Sequence, residues 1–134
     1  MFGDISIAGV IIATVVYFLI GSVWYSPLLF GKAWQEEMGF TDEDLKDTNM
    51  LKTMGSAFIL SLIIALNLAF FLTEGASLQW GLIAGGLAGI GWVATSIGIL
   101  YLFEQHSLRL YFINAGYHAV SYIIMGGIIG AMQA

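Results

Sequence analysis

Long hydrophobic runs alternate with short polar connections along this 134-residue chain. The runs cover residues 5–25, 54–72, 80–103 and 110–132, each close to the roughly 20 residues with which an α-helix crosses a bilayer. Inside hydrocarbon every backbone N–H and C=O needs a partner within its own segment, so the runs are expected to be helical. The alternating polar positions that mark the strands of a membrane barrel are missing. The pattern predicts an all-α membrane protein, a single domain over residues 1–134 with four transmembrane helices in a four-helix bundle.

The connection over residues 26–53 is the only sizeable polar piece of the chain. Within it Phe30, Trp34 and Met38 recur at intervals of four, which places them on one face of a helix. We therefore expect a short amphipathic helix that lies in the membrane interface between the first and second spans. Glycine at position 39 is expected to end it.

A second short helix is expected to follow. Thr41 is a typical N-cap residue, and Asp42, Glu43 and Asp44 come next, where acidic side chains complement the helix dipole. These acids lack the glycine and the terminal glutamate of a calcium-binding loop, so a solvated helix start is favoured over a metal site. We expect this helix to continue directly into the second span.

Basic residues predict the orientation of the chain. Lys32, Lys46 and Lys52 lie between the first and second spans, and Arg109 lies between the third and fourth. Connections rich in Lys and Arg stay in the cytoplasm. Both termini are therefore expected on the non-cytoplasmic side, and the expected location is the inner (plasma) membrane of a bacterium.

Composition indicates that the bilayer is the solvent of this chain. Hydrophobic residues make up 59% of it and charged residues only 10%, against about 25% in a soluble domain. The sequence contains no cysteine, which excludes disulfides and thiolate metal sites. A net charge of −5 argues against nucleic acid as a partner. The expected partners are the lipid bilayer and either further copies of this chain or other membrane subunits.

Small residues recur every four positions in the last two spans. Gly81, Gly85 and Gly89 form one such row, and Gly126 and Gly130 repeat the spacing in the fourth span. Rows of this kind let two helix backbones approach closely. Packing inside the bundle is the favoured interpretation, and a seam between subunits is the alternative.

Aromatic side chains stand near the predicted ends of the spans. Trp24, Tyr25 and Trp34 lie at one membrane interface and Trp80 lies at the other. Tryptophan and tyrosine are enriched at the headgroup level, where they anchor helices. An interfacial belt is favoured over a binding pocket for these four residues.

His118 is the one ionisable side chain deep within a predicted span. A charge there costs about 2.5–3.5 kcal/mol, so a neutral histidine that faces protein or a polar cavity is expected. Asn67 of the second span can face His118. Two interpretations stay open, namely a site for a small polar ligand or proton relay, and hydrogen bonds that only hold helices together. The polar stripe that surrounds His118 at helical spacing consists of Tyr111, Asn114, Ser121 and Tyr122.

Signatures of known enzyme classes are missing from the sequence. It contains no Walker loop, no zinc-binding His-Glu motif and no nucleophile elbow. No carboxylate within a predicted span is available to orient His118 toward Ser121. Glu104 and Arg109 flank a tight turn and are expected to pair across it. We predict no catalytic residue, no metal and no cofactor.

Three motifs together resemble those of a known family. They are residues 21–34 (GSVWYSPLLFGKAW), residues 101–104 (YLFE), and residues 113–118 (INAGYH) followed by Met125-Gly126-Gly127. The chain resembles the "domain of unknown function 1761" family of small membrane proteins over essentially its whole length. The resemblance implies a small four-span integral membrane protein with no settled activity, and it supplies no catalytic residues.

Two functions stay open on this basis. The first is a structural or binding component of the membrane, either a homo-oligomer or an accessory subunit of a larger complex. The second is a small oligomeric transporter or channel for a small solute or proton, which uses the stripe around His118. Four helices pack into a solid bundle, so a conducting path needs an oligomer or an opening between helices. The glycine rows and short connections favour the first.

Overall fold

A computed structural model describes residues 4–134, which contain seven α-helices and one π-helical segment. Within these residues four helices are long and apolar enough to cross a membrane, the third being the continuous helix Leu78–Glu104. This confirms the predicted all-helical class with four potential spans; residues 1–3 of the predicted domain lie outside the described part. In order the elements are α1 (Ile7–Trp24), α2 (Gly31–Met38), α3 (Asp42–Lys46), α4 (Met50–Phe71), α5 (Leu78–Ala88), the π segment (Gly89–Ala94), α6 (Thr95–Glu104) and α7 (Leu108–Met132).

The short helix α2 begins after a tight turn and ends at a glycine. A Cβ on Gly31 would collide with the backbone of Tyr25 and Ser26, so the chain can fold back this closely only at a glycine. Gly39 takes the left-handed conformation with φ 73°, which glycine adopts without strain. The helix predicted around Trp34 therefore exists, and its position in the membrane interface stays a prediction.

Side-chain caps start both α3 and the second span. Thr41 and Asp44 form a reciprocal capping box, in which each side chain accepts a hydrogen bond from the other residue's backbone N–H. Asn49 Oδ1 accepts from the Lys52 N–H at 3.1 Å, which starts α4 at Met50 rather than at residue 54. The expectation that α3 runs directly into the second span is wrong, because the chain leaves the helix after residue 46 so that Asn49 can cap the next one.

The last span, α7, is the centre of the molecule. It packs against α1, α4, α5 and the π segment, whereas α4 and the third span make few contacts with each other. The apolar core lies on the α1–α4 side of α7 and consists of small and branched side chains. Its buried members are Val10, Ala13, Ala65, Leu68, Ala69, Leu72, Met125 and Ile129.

The glycine rows bring α5 and α7 together. A Cβ on Gly81 would collide with the Gly126 carbonyl, and one on Gly85 would collide with the Tyr122 carbonyl. Gly130 likewise lies against the Ser77 carbonyl, and Gly89 lies against the Tyr122 side chain. These contacts are all within one chain, which agrees with the favoured interpretation of packing inside the bundle.

A glutamine at the end of the chain ties three spans together at the end of the bundle opposite α2. Gln133 Nε2 donates to the carbonyls of Ala69 and Leu72, both at 3.0 Å. Its Oε1 accepts from the Ser6 N–H, also at 3.0 Å. One side chain thus satisfies the last carbonyls of α4 and a backbone donor just before α1.

At the α2 end of the bundle, Arg109 pairs with α2 and not with Glu104. Its Nη1 lies 3.4 Å from a Glu36 carboxylate oxygen and 3.5 Å from one of Glu37. Glu104 instead lies 3.7 Å from His106 Nε2. The predicted pair of Glu104 with Arg109 is wrong, because α2 packs beside the start of α7 and brings two carboxylates closer to the arginine.

Candidate functional site

A cleft of about 510 Å³ opens between α1, α4 and the half of α7 nearest α2. Most of its lining is aromatic or apolar, and its polar groups come from tyrosine, serine and histidine. We call it the His118 cleft. It is lined by Tyr17, Phe18, Gly21, Ser22, Tyr25, Met54, Ala57, Tyr117 and His118.

His118 lies in this cleft with one ring nitrogen already engaged. Its Nδ1 is 3.2 Å from the Tyr17 hydroxyl oxygen, and the two ring centres are 6.1 Å apart. The Tyr117 ring also packs against the imidazole, at 5.1 Å between ring centres. The hydrogen bond fixes the orientation of the ring, so Nε2 is the nitrogen available to another molecule.

Tyr117 crosses from α7 to α1 and makes the wall of the cleft. Its hydroxyl donates to the Tyr17 carbonyl at 3.0 Å, and its ring packs on Tyr17 and Tyr25 at 5.0 and 5.3 Å. A Cβ on Gly21 would lie 2.9 Å from the Tyr117 hydroxyl, so a glycine makes room for this crossing. Tyr17, Gly21 and Tyr25 stand four residues apart and therefore share one face of α1.

Asn114 joins three helices just beside the cleft. Its Oδ1 accepts from the Tyr25 hydroxyl at 2.7 Å, and its Nδ2 donates to the Tyr101 hydroxyl oxygen at 2.7 Å. Trp34 of α2 packs edge-on against Tyr25 at 6.0 Å, so the network reaches α2 as well. The carboxamide therefore links α1, α7 and α6 through side chains alone.

The remaining members of the predicted polar stripe point to different neighbours. Tyr111 donates to the Ala94 carbonyl at 3.0 Å, and Ser121 is fully buried. Tyr122 packs against Gly89 and lines a second groove together with Asn67. The structure therefore brings Asn114 and His118 to the α1 side of α7, while Tyr111 and Tyr122 face the third span and Asn67 lies away from His118.

Two of the four predicted anchors make side-chain hydrogen bonds inside the protein. Trp24 Nε1 donates to the Ile113 carbonyl at 2.8 Å, and the Tyr25 hydroxyl is bound to Asn114. Trp34 packs on Tyr25 and Phe40, whereas Trp80 is 40% exposed in the first turn of α5. Their role as membrane anchors stays a prediction, and the contacts of Trp24 and Tyr25 add a part in building the site.

Sequence reasoning missed Tyr17, Gly21 and Tyr117 as parts of the site. The signal that identifies them is the spacing of Tyr17, Gly21 and Tyr25 along α1, which leaves a gap between two aromatic side chains. The gap indicates a site only when it is known that an aromatic side chain of another helix fills it. Tyr117 is that side chain, and sequence reasoning passed over it in favour of its more polar neighbour His118.

The arrangement can hold and orient a neutral hydrogen-bonding group. None of the described residues that line the cleft carries a carboxylate, an amine or a guanidinium. Imidazole and hydroxyl groups can donate to or accept from a ligand without the desolvation of a fixed charge. Beyond His118, toward the opposite end of the bundle, the core of α1, α4 and α7 is closely packed, which closes the inner end of the cleft.

Comparison with known proteins gives one match. Residues 8–130 match the family described as "Protein of unknown function (DUF1761)". No curated protein matches the chain, and no solved structure matches it either. The matched region contains all four potential spans except the first residue of α1 and the last residues of α7, and it includes the whole of the His118 cleft. The chain therefore belongs to the DUF1761 family.

Proposed function

We propose that this protein is a binding component of the membrane, which holds an uncharged small molecule or lipid headgroup in the His118 cleft. The observation that carries the proposal is the pairing of Tyr17 Oη with His118 Nδ1 at 3.2 Å inside a cleft of about 510 Å³. That volume is within the range of roughly 300–1,000 Å³ typical of small-molecule sites. A ring held by a hydrogen bond on one nitrogen offers the other nitrogen in a fixed direction.

The lining favours an amphipathic ligand. Phe18 and Phe58 pack at 5.7 Å between ring centres beside the cleft, and Met54 and Ala57 supply apolar surface from α4. These groups suit an apolar body, while Tyr17 and His118 suit a polar end. No enzyme activity, metal or cofactor is part of this proposal.

The test compares the two histidines of the chain. The protein and its His118→Leu variant are extracted with their native lipids into nanodiscs, and small molecules that remain bound are identified by native mass spectrometry. His106→Leu is the matched control, because His106 lines a different groove near the α6–α7 turn. We expect a bound species that the control retains and His118→Leu loses. Equal retention by all three proteins would contradict the proposal.

Assembly with other subunits is part of the proposed role. Because the chain is apolar and most of its connections are short, little of its surface lies outside the bilayer. This supports a role as a homo-oligomer or as an accessory subunit of a larger membrane complex. The glycine rows no longer support a seam between subunits, because they are filled by contacts within the chain. The same native mass spectra measure the assembly directly. A monomer without foreign subunits would contradict this part of the proposal.

A small transporter or channel is the second candidate. It is favoured by the cleft itself, which reaches His118 from the end of the bundle near α2. The packed core beyond His118 opposes it, so transport requires the helices around that core to separate. A liposome flux assay with His118→Ala and the parent protein tests this function. If neither moves protons or small solutes above empty liposomes, the transporter hypothesis is wrong.

We also propose that the connections bearing Lys32, Lys46, Lys52 and Arg109 face the cytoplasm of a bacterium, at its inner membrane. The three lysines and the arginine all lie at the α2 end of the four spans, which supports one common side for them. Reporter fusions at both ends of the chain test the orientation. Both fusions should report the non-cytoplasmic side, and a cytoplasmic signal at either end would contradict it.

A further inference from the structure

A second groove lies on the other side of α7 from most of the His118 cleft, between α4 and the π segment. Its volume is about 270 Å³, and it exists because α4 and the third span both pack on α7 and only weakly on each other. π-helical turns within α-helices occur often at functional sites. We call it the Asn67 groove and define it by Asn67, Phe71, Trp92 and Tyr122.

Three polar groups in this groove have unused hydrogen-bonding capacity. Asn67 Nδ2 donates to the Ile63 carbonyl of its own helix at 2.9 Å, but its Oδ1 accepts from no described residue. The Trp92 indole N–H and the Tyr122 hydroxyl likewise make no hydrogen bond within residues 4–134. An unpaired polar group in hydrocarbon is strongly unfavourable, and lipid tails cannot pair any of these three.

The aromatic groups of the groove determine which ligand shape it favours. The Phe71 and Trp92 rings lie 6.3 Å apart between centres at an angle of 59°, one from each wall. Aromatic faces in this arrangement favour a flat ring that packs against them. The volume is slightly below the range of drug-sized pockets, which suits one ring with its substituents rather than a larger body.

We propose that the Asn67 groove binds a lipid-soluble ring that carries a carbonyl or hydroxyl oxygen, the chemistry shared by quinones, quinols and phenols. Trp92 Nε1 and the Tyr122 hydroxyl donate to the oxygen of the ligand, and Asn67 Oδ1 accepts from a ligand hydroxyl where one is present. Trp92 is 65% exposed, so such a molecule enters from the bilayer without passing through the bundle. This site is independent of the ligand proposed for the His118 cleft.

The test follows the indole N–H of Trp92 by nuclear magnetic resonance in nanodiscs. The chain has four tryptophans, and Trp92→Phe identifies the relevant signal. The ligand used is decylubiquinone, and decylbenzene is its counterpart without oxygen. We expect decylubiquinone to move the Trp92 indole N–H proton signal downfield in a saturable way. Decylbenzene should cause no such downfield shift, because its ring can pack in the groove but accepts no conventional hydrogen bond.

A pair of variants tests the role of the carboxamide. Asn67→Leu should weaken the binding of the reduced form, decylubiquinol, by about fivefold, the effect of one lost hydrogen bond. Thr48→Val is the control, because Thr48 also donates to a backbone carbonyl and lies outside the groove. Since Asn67 is exposed on α4, leucine should be tolerated there.

Several outcomes would overturn the proposal. They are a Trp92 signal that decylubiquinone does not shift downfield, an equal saturable downfield shift with decylbenzene, and unchanged decylubiquinol binding in Asn67→Leu. A fourth is a Trp92 shift that depends on protein concentration without any added ligand, because a second copy of the chain then occupies the groove. Loss of ligand from the His118 cleft alone would leave this inference standing.

Discussion

The hydroxyl of Tyr25 donates to the carboxamide oxygen of Asn114 at 2.7 Å, which ties the end of α1 to α7. The same carboxamide donates to the Tyr101 hydroxyl oxygen at 2.7 Å, so one side chain holds α1 and α6 on either side of α7. Both hydrogen bonds are short and part-buried, and both lie near the end of the bundle where α2 docks. One asparagine therefore links three helices at this end of the bundle.

Replacing Asn114 by leucine should destabilise the protein by about 1–3 kcal/mol, because two tyrosine hydroxyls lose their partner. Tyr25→Phe removes one of these bonds and should cost about 0.6–1.7 kcal/mol, which spans the average and the largest value for hydrogen bonds between membrane helices. The free energy of unfolding, measured in bicelles for both single variants and the double variant, gives the coupling. Tyr111→Phe is the control partner, because Tyr111 is bonded to Ala94 instead. Additive effects of Tyr25→Phe and Asn114→Leu would contradict the assignment.

Adding one methyl group at Gly85 should separate α5 from α7, because the new Cβ would collide with the Tyr122 backbone. Overpacking of this kind destabilises by about 1–3 kcal/mol. Gly91→Ala is the matched variant in the same span, since a Cβ there meets nothing. It should be neutral or stabilising by up to about 1 kcal/mol, because glycine is a poor helix former. Thermal unfolding of both variants in one detergent provides the comparison, and equal melting temperatures would disprove the close contact.

The ion pairs of Arg109 should hold α2 in place without adding much to global stability. All three side chains are partly exposed, and pairs of this kind are worth about 1 kcal/mol or less. Arg109→Gln should therefore speed hydrogen exchange of the α2 amides severalfold and leave the melting temperature nearly unchanged. High salt should have the same effect on the parent protein, because it screens exposed charges. Lys52→Gln removes the same charge elsewhere and should not alter exchange in α2.

The start of α3 should depend on pH through Asp44. The hydrogen bond from the Thr41 backbone N–H lowers the pKa of the Asp44 carboxyl below its ordinary value. A carboxyl whose pKa is lower in the folded state stabilises that state above the unfolded pKa, and the contribution is lost as pH falls through the folded pKa. The Thr41 amide should thus stay protected above about pH 4 and become exposed in more acidic solution. Asp44→Asn should remove this pH dependence, and protection that stays constant to pH 2 would contradict it.

The four potential spans could be predicted from hydrophobicity because length and apolar content suffice to identify them. The start of the second span could not, since Asn49 caps α4 so that the helix begins at Met50, four residues before the hydrophobic run predicted from residue 54. The partner of Arg109 depends on where α2 packs, and no local pattern contains that information. Glu36 and Glu37 lie on α2, and only the packing of α2 beside α7 brings them close to Arg109.

Part of the candidate site was also visible in the sequence. His118 and Asn114 stand out because polar residues are rare within spans, and the structure brings both to the α1 side of α7. The partners Tyr17 and Tyr117 were not visible, because aromatic residues are common in membrane helices and only tertiary packing distinguishes a lining ring from one that faces lipid. The separation of His118 from Tyr122, which line different grooves, likewise depends on the helices that flank α7.

The central place of α7 has a consequence for biosynthesis. Of the four spans it is the last to leave the ribosome, yet it provides the main packing surface for the third span and much of that for the first two. Until α7 is made, the glycine face of α5 has no helix backbone to pack against, and α1 can pack only against α4. The packing of the third span, and much of that of α1, can therefore be completed only after α7 has been made.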